Sequence, residues 1–208
     1  MKNTIHFKEM KPVPDEKWIL HRLGYKKGVT TIDKEHQQLI EKGMQKGLEI
    51  CKPQGLMRRL TITARDEEKI QLETGDVFYS KHVANILTDS KEIIIMGSTV
   101  GSEISRCIST EITEGEIILG LIMDAMASQL ADKGLEWMLW NLAIGLSKEN
   151  KGVTKHRCSP GNADFPISYQ KTIYDLIEMD KLDVTLTQSS ILIPEKSVIG
   201  VAGVVDSL

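Results

Sequence analysis

The sequence predicts an α+β fold in a single domain spanning residues 1–208, and three observations support this. Helical and strand patterns alternate irregularly, without the strand–helix–strand repeat that builds a parallel sheet. An apolar run at 93–96 is too short for a helix and therefore predicts a buried strand. Hydrophobic residues make up 41% of the chain and charged residues 26%, which is typical of a globular domain with a sizeable core.

The individual elements follow from apolar spacing and from capping and turn residues. Residues 1–25 contain Pro12 and Pro14 and are expected to form an extended N-terminal segment. A capping signal at 30–33 precedes the first amphipathic helix. Helices are predicted at 33–50, after Ser80, at 101–110, at 115–147 and at 168–179. Strands are predicted at 57–64, 69–72 and 93–96, and a terminal hairpin is predicted to pair 184–193 with 197–205.

The long helix predicted at 115–147 is apolar over much of its surface, so other elements should surround it. Its charged residues do not follow one clean stripe in the sequence; they are Asp124, Asp132, Lys133 and Glu136. A buried carboxylate without a partner is costly. Asp124 is therefore expected to reach solvent, to pair with a cation such as an arginine, or to face a ligand.

Charge and cysteine content exclude several classes of protein. The net charge is −3 and the sequence pI is about 6.0, so there is no global attraction to nucleic acid. Three cysteines lie far apart, which argues against a disulfide framework and fits a reducing cytosol. The N-terminus lacks a signal-peptide core, and the most apolar window, 117–131, falls short of the ~20 residues that span a membrane. We expect a soluble, cytoplasmic protein that binds neither nucleic acid nor membrane.

Motifs for metal binding and for conventional catalysis are missing from the sequence. The five histidines show no metal-ligand spacing such as H-E-x-x-H. Residues 97–102 contain two glycines between a predicted strand and a predicted helix, but the full phosphate-binding pattern is missing, so a tight connection is the expected structure. No nucleophile and base motif is present. We therefore expect no metal site and no catalytic residue in this chain.

A constrained turn follows Arg157 and is the most informative feature of the chain. Ser159, Pro160, Gly161 and Asn162 are four turn-forming residues in succession. Such a turn can hold its backbone amides close to a ligand, and the arginine before it can pair with a carboxylate through two hydrogen bonds. A rigid loop with one solvated arginine remains the alternative.

Three ordered patterns around this turn carry a resemblance to a known family. They are R-x-S-P-G-x, then F-P-x-x-x-Q-K-x-I-x-x-L, then V-x-L-T-x-S-x-x-x-x-P-x-K-S-V-x-G, and they run from Arg157 to Gly200. This series resembles the C-terminal part of the activation domain of vitamin B12-dependent methionine synthase. The triplet at 23–25 (Leu-Gly-Tyr) is similar to the opening of the short, free-standing members. The resemblance implies a curved antiparallel sheet flanked by helices, with the motif-bearing part at 157–205.

In that family an R-x-x-x-G-Y motif helps to bind S-adenosylmethionine. The implied site in this chain lies in the turn and on the long helix: Arg157, Ser159, Pro160, Gly161, Asn162, Ala163, Asp124 and Ser128. Two positions depart from the family pattern. Asn162 replaces the tyrosine of the motif, and Ser128 stands where the full-length enzymes have a second acidic residue.

The resemblance also implies a function and partners. The family uses S-adenosylmethionine, with help from an electron donor such as flavodoxin, to restore methylcobalamin on a cobalamin-bearing module. This chain lacks the D-x-H-x-x-G signature of proteins that bind cobalamin through a histidine, so a partner protein is expected to hold the corrinoid. The chain is then one component of a methyltransferase activity rather than a self-contained catalyst. The alternative is a docking accessory of a corrinoid protein that has lost S-adenosylmethionine binding.

Overall fold

Side-chain caps mark the starts of the first three helices of the chain. The computed structural model describes residues 3–26 and 28–206. The helices are α1 (Glu16–Arg22), α2 (Lys34–Ile50), α3 (Lys81–Ile86), α4 (Glu103–Thr113), α5 (Ile117–Leu146) and α6 (Tyr169–Ile177). At the start of α2 the Asp33 carboxylate accepts a hydrogen bond from the His36 N–H, and at the start of α3 the Ser80 hydroxyl accepts one from Val83. The predicted capping signal before the first long helix is therefore confirmed.

The strands form a curled antiparallel sheet. They are β1 (Ile5–Phe7), β2 (Gln54–Arg65), β3 (Lys69–Leu72), β4 (Val77–Tyr79), β5 (Glu92–Thr99), β6 (Lys151–Val153), β7 (Thr185–Leu186), β8 (Leu192–Ile193) and β9 (Ser197–Asp206). Seven of them form one sheet in the order β4-β3-β2-β5-β9-β6, with β1 paired to the start of β2. The predicted α+β class, with helices on a curved antiparallel sheet, is confirmed.

Strand β5 lies at the centre of this sheet and separates two layers of core. Each of its residues is buried, as the continuous apolar run predicts. Ile93 and Ile95 face a cluster that includes α3 and α6, whereas Ile94 and Met96 face a cluster that includes α5. This alternation follows the two-residue period of a strand. Helices therefore cover the sheet on both faces.

Helix α5 is surrounded by other elements, as its sequence predicts. One side packs on the sheet, and another side packs on α2 and α4. Gly43 of α2 allows close approach, since a Cβ there would lie 2.6 Å from Cγ2 of Ile122. Within residues 3–26 and 28–206, no helix is both long enough and apolar enough to cross a membrane.

Two sequence-based expectations about pairing and extension are wrong. The strand at 197–206 pairs with β5 and β6, and not with 184–193, where β7 and β8 pair with each other instead. The described part of 1–25 is not extended throughout, because it contains β1 and α1. The Asp15 side chain caps α1 by accepting a hydrogen bond from the Lys17 N–H, and this local capping is stronger than the effect of the preceding prolines.

Candidate functional site

The segment that carries Arg157 is attached to the sheet through its neighbour. Cys158 forms an isolated antiparallel bridge with Val201 of β9, with N–H to carbonyl distances of 3.0 and 2.7 Å. Gly200, next to that bridge, gives room for the close approach, because a Cβ there would lie 3.1 Å from Cδ1 of Leu135 and 3.4 Å from the Cys158 carbonyl oxygen. The backbone at Arg157 is thus held beside the centre of α5.

The turn after Arg157 is rigid, as its composition predicts. The Asn162 N–H donates to the Ser159 carbonyl, and the Gly161 N–H donates to Phe165 at 2.7 Å. Gly161 has a φ of +93° and Ala163 a φ of +51°, which are both left-handed conformations. Pro160 is buried, whereas 161–163 is exposed. The turn is therefore closed by its own hydrogen bonds and lies at the surface on a buried anchor.

Asp164 connects this turn to the N-terminus of α3. Its carboxylate accepts hydrogen bonds from the Ser80 hydroxyl at 2.6 Å, from the Lys81 N–H at 2.7 Å and from the His82 N–H at 3.1 Å. The Ser80 hydrogen bond and the two backbone amides lower the pKa of this carboxyl below its ordinary value. The sequence analysis did not identify this contact, which comes from residues more than eighty positions apart.

Arg157 reaches across to α5, where two carboxylates surround it. Its Nη2 lies 2.5 Å from Oδ2 of Asp132 and 3.9 Å from Oε1 of Glu136. The arginine side chain is 22% exposed, so the pair is only partly desolvated. Among the described residues, Arg157 donates a side-chain hydrogen bond through Nη2, to Asp132, which leaves the donors on Nε and Nη1 for a ligand.

Asp124 pairs with a lysine and not with Arg157. The Lys196 Nζ lies 2.7 Å from Oδ1 of Asp124 and donates to the Ser128 hydroxyl, also at 2.7 Å. Lys196 belongs to the turn between β8 and β9 and is only 12% exposed. Of the three possibilities for Asp124 in the sequence, the structure shows two: the side chain pairs with a cation, and it is 49% exposed to solvent.

Three acidic residues and a serine of α5 form a stripe that the sequence analysis did not identify. Asp124, Ser128, Asp132 and Glu136 recur every four residues, and each of them is partly exposed or exposed. The four charged residues together do not follow one stripe, as the sequence indicates, because Lys133 lies beside it and pairs with Glu136. Asp132 and Glu136 are therefore site residues that the sequence analysis missed.

The structure brings the predicted site residues to two positions along this stripe. Arg157 and its turn meet the stripe at Asp132, and Lys196 meets it at Asp124 and Ser128. Eight residues of helix separate the two carboxylates, which corresponds to about 12 Å along the axis.

Neither a reactive thiol nor a grouped metal site is seen near the turn. Cys158 is buried, and burial raises the pKa of its thiol, so the neighbouring arginine does not activate it. Over the described residues, no three histidine, cysteine, aspartate or glutamate side chains are grouped so that they could hold a metal ion. What the site offers is a guanidinium, two carboxylates and an exposed turn, which suit a zwitterionic ligand.

Comparison with known proteins identifies the class of fold. No protein-family model matches the chain, and no curated protein is a significant match. Among solved structures, the chain is similar to the MetH reactivation domain bound to AdoHcy, with a TM-score of 0.68 at 15% sequence identity. The match covers 97% of this chain and 78% of that one. The chain thus has the fold of a MetH reactivation domain, and the resemblance seen in the sequence is confirmed at the level of the fold.

Proposed function

We propose that this protein binds S-adenosylmethionine and presents it to a corrinoid held by a partner protein, in the reductive reactivation of a cobalamin-dependent methionine synthase or a related methyltransferase. The motif series from Arg157 to Gly200 supports this proposal, as does the shared fold with a domain whose structure contains AdoHcy. The observation that carries it is the position of Arg157, which the fold brings beside two carboxylates next to a rigid turn.

The residues of this chain would bind and orient the ligand. Arg157 would hold the methionine carboxylate through the nitrogens that Asp132 does not engage. Asp132 and Glu136 would face the positive charges of the ligand, its ammonium and its sulfonium. The exposed turn at 161–163 would position the rest of the molecule. No acid or base is required of the chain, because its contribution is positioning and electrostatics.

The corrinoid on the partner would supply the nucleophile that accepts the methyl group. An electron donor such as flavodoxin would supply the reduction. We place this activity in the cytoplasm, as the cysteine content favours.

A docking accessory without ligand binding is the second candidate, and one contact favours it. Lys196 already occupies Asp124 and Ser128, so these two residues are less available to a ligand. Asn162 further removes the aromatic ring of the family motif. In that case the chain would still associate with a corrinoid protein but would show no affinity for S-adenosylmethionine.

Calorimetric titration of the purified protein with S-adenosylmethionine and AdoHcy separates the two candidates. We expect saturable binding that Arg157→Ala weakens by about 10- to 150-fold, the effect of losing a charged hydrogen bond. Arg106→Ala is the matched control, because Arg106 pairs with Glu103 on the exposed face of α4, outside the site. Absence of binding to the wild-type protein up to millimolar ligand, in the presence of its corrinoid partner as well, would favour the accessory.

A further inference from the structure

The exposed turn after Arg157 contains one residue in a conformation that its side chain disfavours. Ala163 has a φ of +51°, in the left-handed region where a Cβ crowds the following carbonyl oxygen. Gly161 has a φ of +93° without such a cost, because it has no Cβ. A non-glycine residue stays left-handed where surrounding contacts hold it, and such residues are common at ligand-binding sites. The contacts beside Ala163 therefore set the shape of this turn.

The turn is anchored on both sides. Before it, Cys158 forms its bridge with β9. After it, the Phe165 ring is buried and contacts the Phe78 ring at a centroid distance of 5.5 Å. Asp164 lies between these anchors, directly after the left-handed residue, and its carboxylate accepts hydrogen bonds from residues 80–82. Asp164 thus connects the strained part of the turn to another element.

Both oxygens of the Asp164 carboxylate bind to the start of α3. Oδ1 accepts from the Ser80 hydroxyl at 2.6 Å and from the His82 N–H at 3.1 Å, and Oδ2 accepts from the Lys81 N–H at 2.7 Å. Ser80 itself caps this helix, because its hydroxyl oxygen accepts a hydrogen bond from the Val83 N–H at 3.1 Å. Asp164 therefore adds a connection to the turn to a cap that Ser80 already provides.

We propose that Asp164 is a positioning residue, which holds the turn at 161–163 in the conformation that binds the ligand of Arg157. Its hydrogen bonds to α3 fix the backbone directly after Ala163 and so oppose the return of that residue to an ordinary φ. This inference rests on the proposed function and extends it to α3, an element outside the candidate site. A turn that is ordered before binding does not have to be ordered by the ligand, and the affinity is higher for that reason.

Calorimetric titration with AdoHcy tests this role. Asp164→Ala should weaken binding by about 5- to 30-fold, the equivalent of ordering the backbone of one residue when the ligand binds. Asp164→Asn, which keeps one acceptor oxygen, should weaken it less. Asp33→Ala is the matched control, because the Asp33 carboxylate caps α2 by accepting from the His36 N–H at 2.9 Å. It should lower stability and leave the affinity unchanged, and urea denaturation shows that each variant is folded during titration.

A second substitution distinguishes positioning of the turn from capping of α3. Glycine adopts the left-handed conformation without strain. Ala163→Gly combined with Asp164→Ala should therefore recover part of the affinity that Asp164→Ala loses. A role of Asp164 in the stability of α3 alone would not produce this recovery. A double variant that binds no better than Asp164→Ala would overturn the inference.

The outcomes separate this inference from the proposed function. If the wild-type protein binds AdoHcy, but Asp164→Ala binds equally well, the inference is wrong while the proposed function stands. The same conclusion follows if Asp33→Ala weakens binding as much as Asp164→Ala does. If the wild-type protein binds no AdoHcy, the proposed function fails, and the inference fails with it.

Discussion

Two ion pairs along α5 are built in the same way but differ in how completely the cation is paired. In each, a cation from the C-terminal part of the chain meets a carboxylate of the helix: Lys196 meets Asp124, and Arg157 meets Asp132. Lys196 is 12% exposed and has two oxygen partners within 2.7 Å. Arg157 is 22% exposed and donates a hydrogen bond to the helix through Nη2. The first cation is largely satisfied within the protein, and the second still has donors for a ligand.

The difference follows from the chemistry of the two side chains. An ammonium is a compact charge, and two acceptors at 2.7 Å meet most of its requirement in a nearly buried place. A guanidinium spreads its donors around a plane, so one carboxylate leaves the others unpaired. We therefore assign Lys196 mainly to stability and Arg157 mainly to binding, and the following variants test that division.

The largest expected effect on folding belongs to Lys196→Met, which keeps the apolar stem and removes the ammonium. Loss of its contacts to Asp124 and Ser128 should lower the free energy of unfolding by about 1–2 kcal/mol, since Asp124 remains half exposed. Urea denaturation measures this. Lys171→Met is the matched control, because Lys171 pairs with Asp175 along α6 and both side chains are more than half exposed, so its loss should be smaller. Equal losses in the two variants would remove the special role of Lys196.

A gain of affinity is expected from Asn162→Tyr, which restores the aromatic residue of the family motif beside Arg157. The side chain of Asn162 is exposed and its φ is not left-handed, so a tyrosine fits without strain. An added ring contact should tighten AdoHcy binding about threefold to tenfold. Isothermal titration provides the measurement, with Asn162→Ala as the control for loss of the amide. Weaker binding by the tyrosine variant would place the ligand elsewhere.

A small effect on stability is expected from Arg157→Ala, in contrast to its large effect on binding. The ion pair with Asp132 is partly exposed, so its removal should lower the free energy of unfolding by less than about 1 kcal/mol. Urea denaturation of the same preparation used for binding gives this value. A loss of stability larger than that of Lys196→Met would mean that Arg157, rather than Lys196, contributes mainly to stability.

The smallest expected effect is a pH dependence of stability. It comes from the Asp164 carboxylate, which connects the Arg157 turn to α3. Folding lowers the pKa of Asp164, so its charged contacts stabilise the native state above the unfolded pKa of about 3.9 and are lost as pH falls through the lower native pKa. Asp164→Asn should therefore unfold at lower urea than the wild type at pH 7, with the difference shrinking as the pH falls below the unfolded pKa. A difference that persists unchanged at acidic pH would mean that the charge is not involved.

Local patterns predicted the elements well but predicted their partners poorly. The apolar run at 93–96 and the long helix are confirmed. Segments with extensive burial are composed mainly of apolar residues, and this composition can be recognised in the sequence. The terminal hairpin is wrong because an apolar alternation indicates a strand without indicating which strand it pairs with. Helix α1 had a readable signal, a capping Asp15 followed by helix formers and then Gly24, which the prolines before it concealed.

For the candidate site, too, the sequence predicted local features but not the partners of each residue. The motif series pointed to Arg157 and its rigid turn. It could not indicate that Asp132 is the nearest carboxylate, since that contact depends on how the turn meets α5. The four-residue spacing from Asp124 to Glu136 was available in the sequence and would have marked one face of the helix. The partner of Asp124 was not available, because Lys196 comes from 72 residues further along the chain.

A cycle of two ligands and two proteins tests most directly whether Arg157 holds the carboxylate of the ligand. AdoHcy and 5′-methylthioadenosine share the nucleoside, but only AdoHcy carries the amino-acid carboxylate. We expect Arg157→Ala to weaken AdoHcy by about 10- to 150-fold and to leave 5′-methylthioadenosine unchanged. An equal loss for both ligands, or no loss for either, would contradict the account.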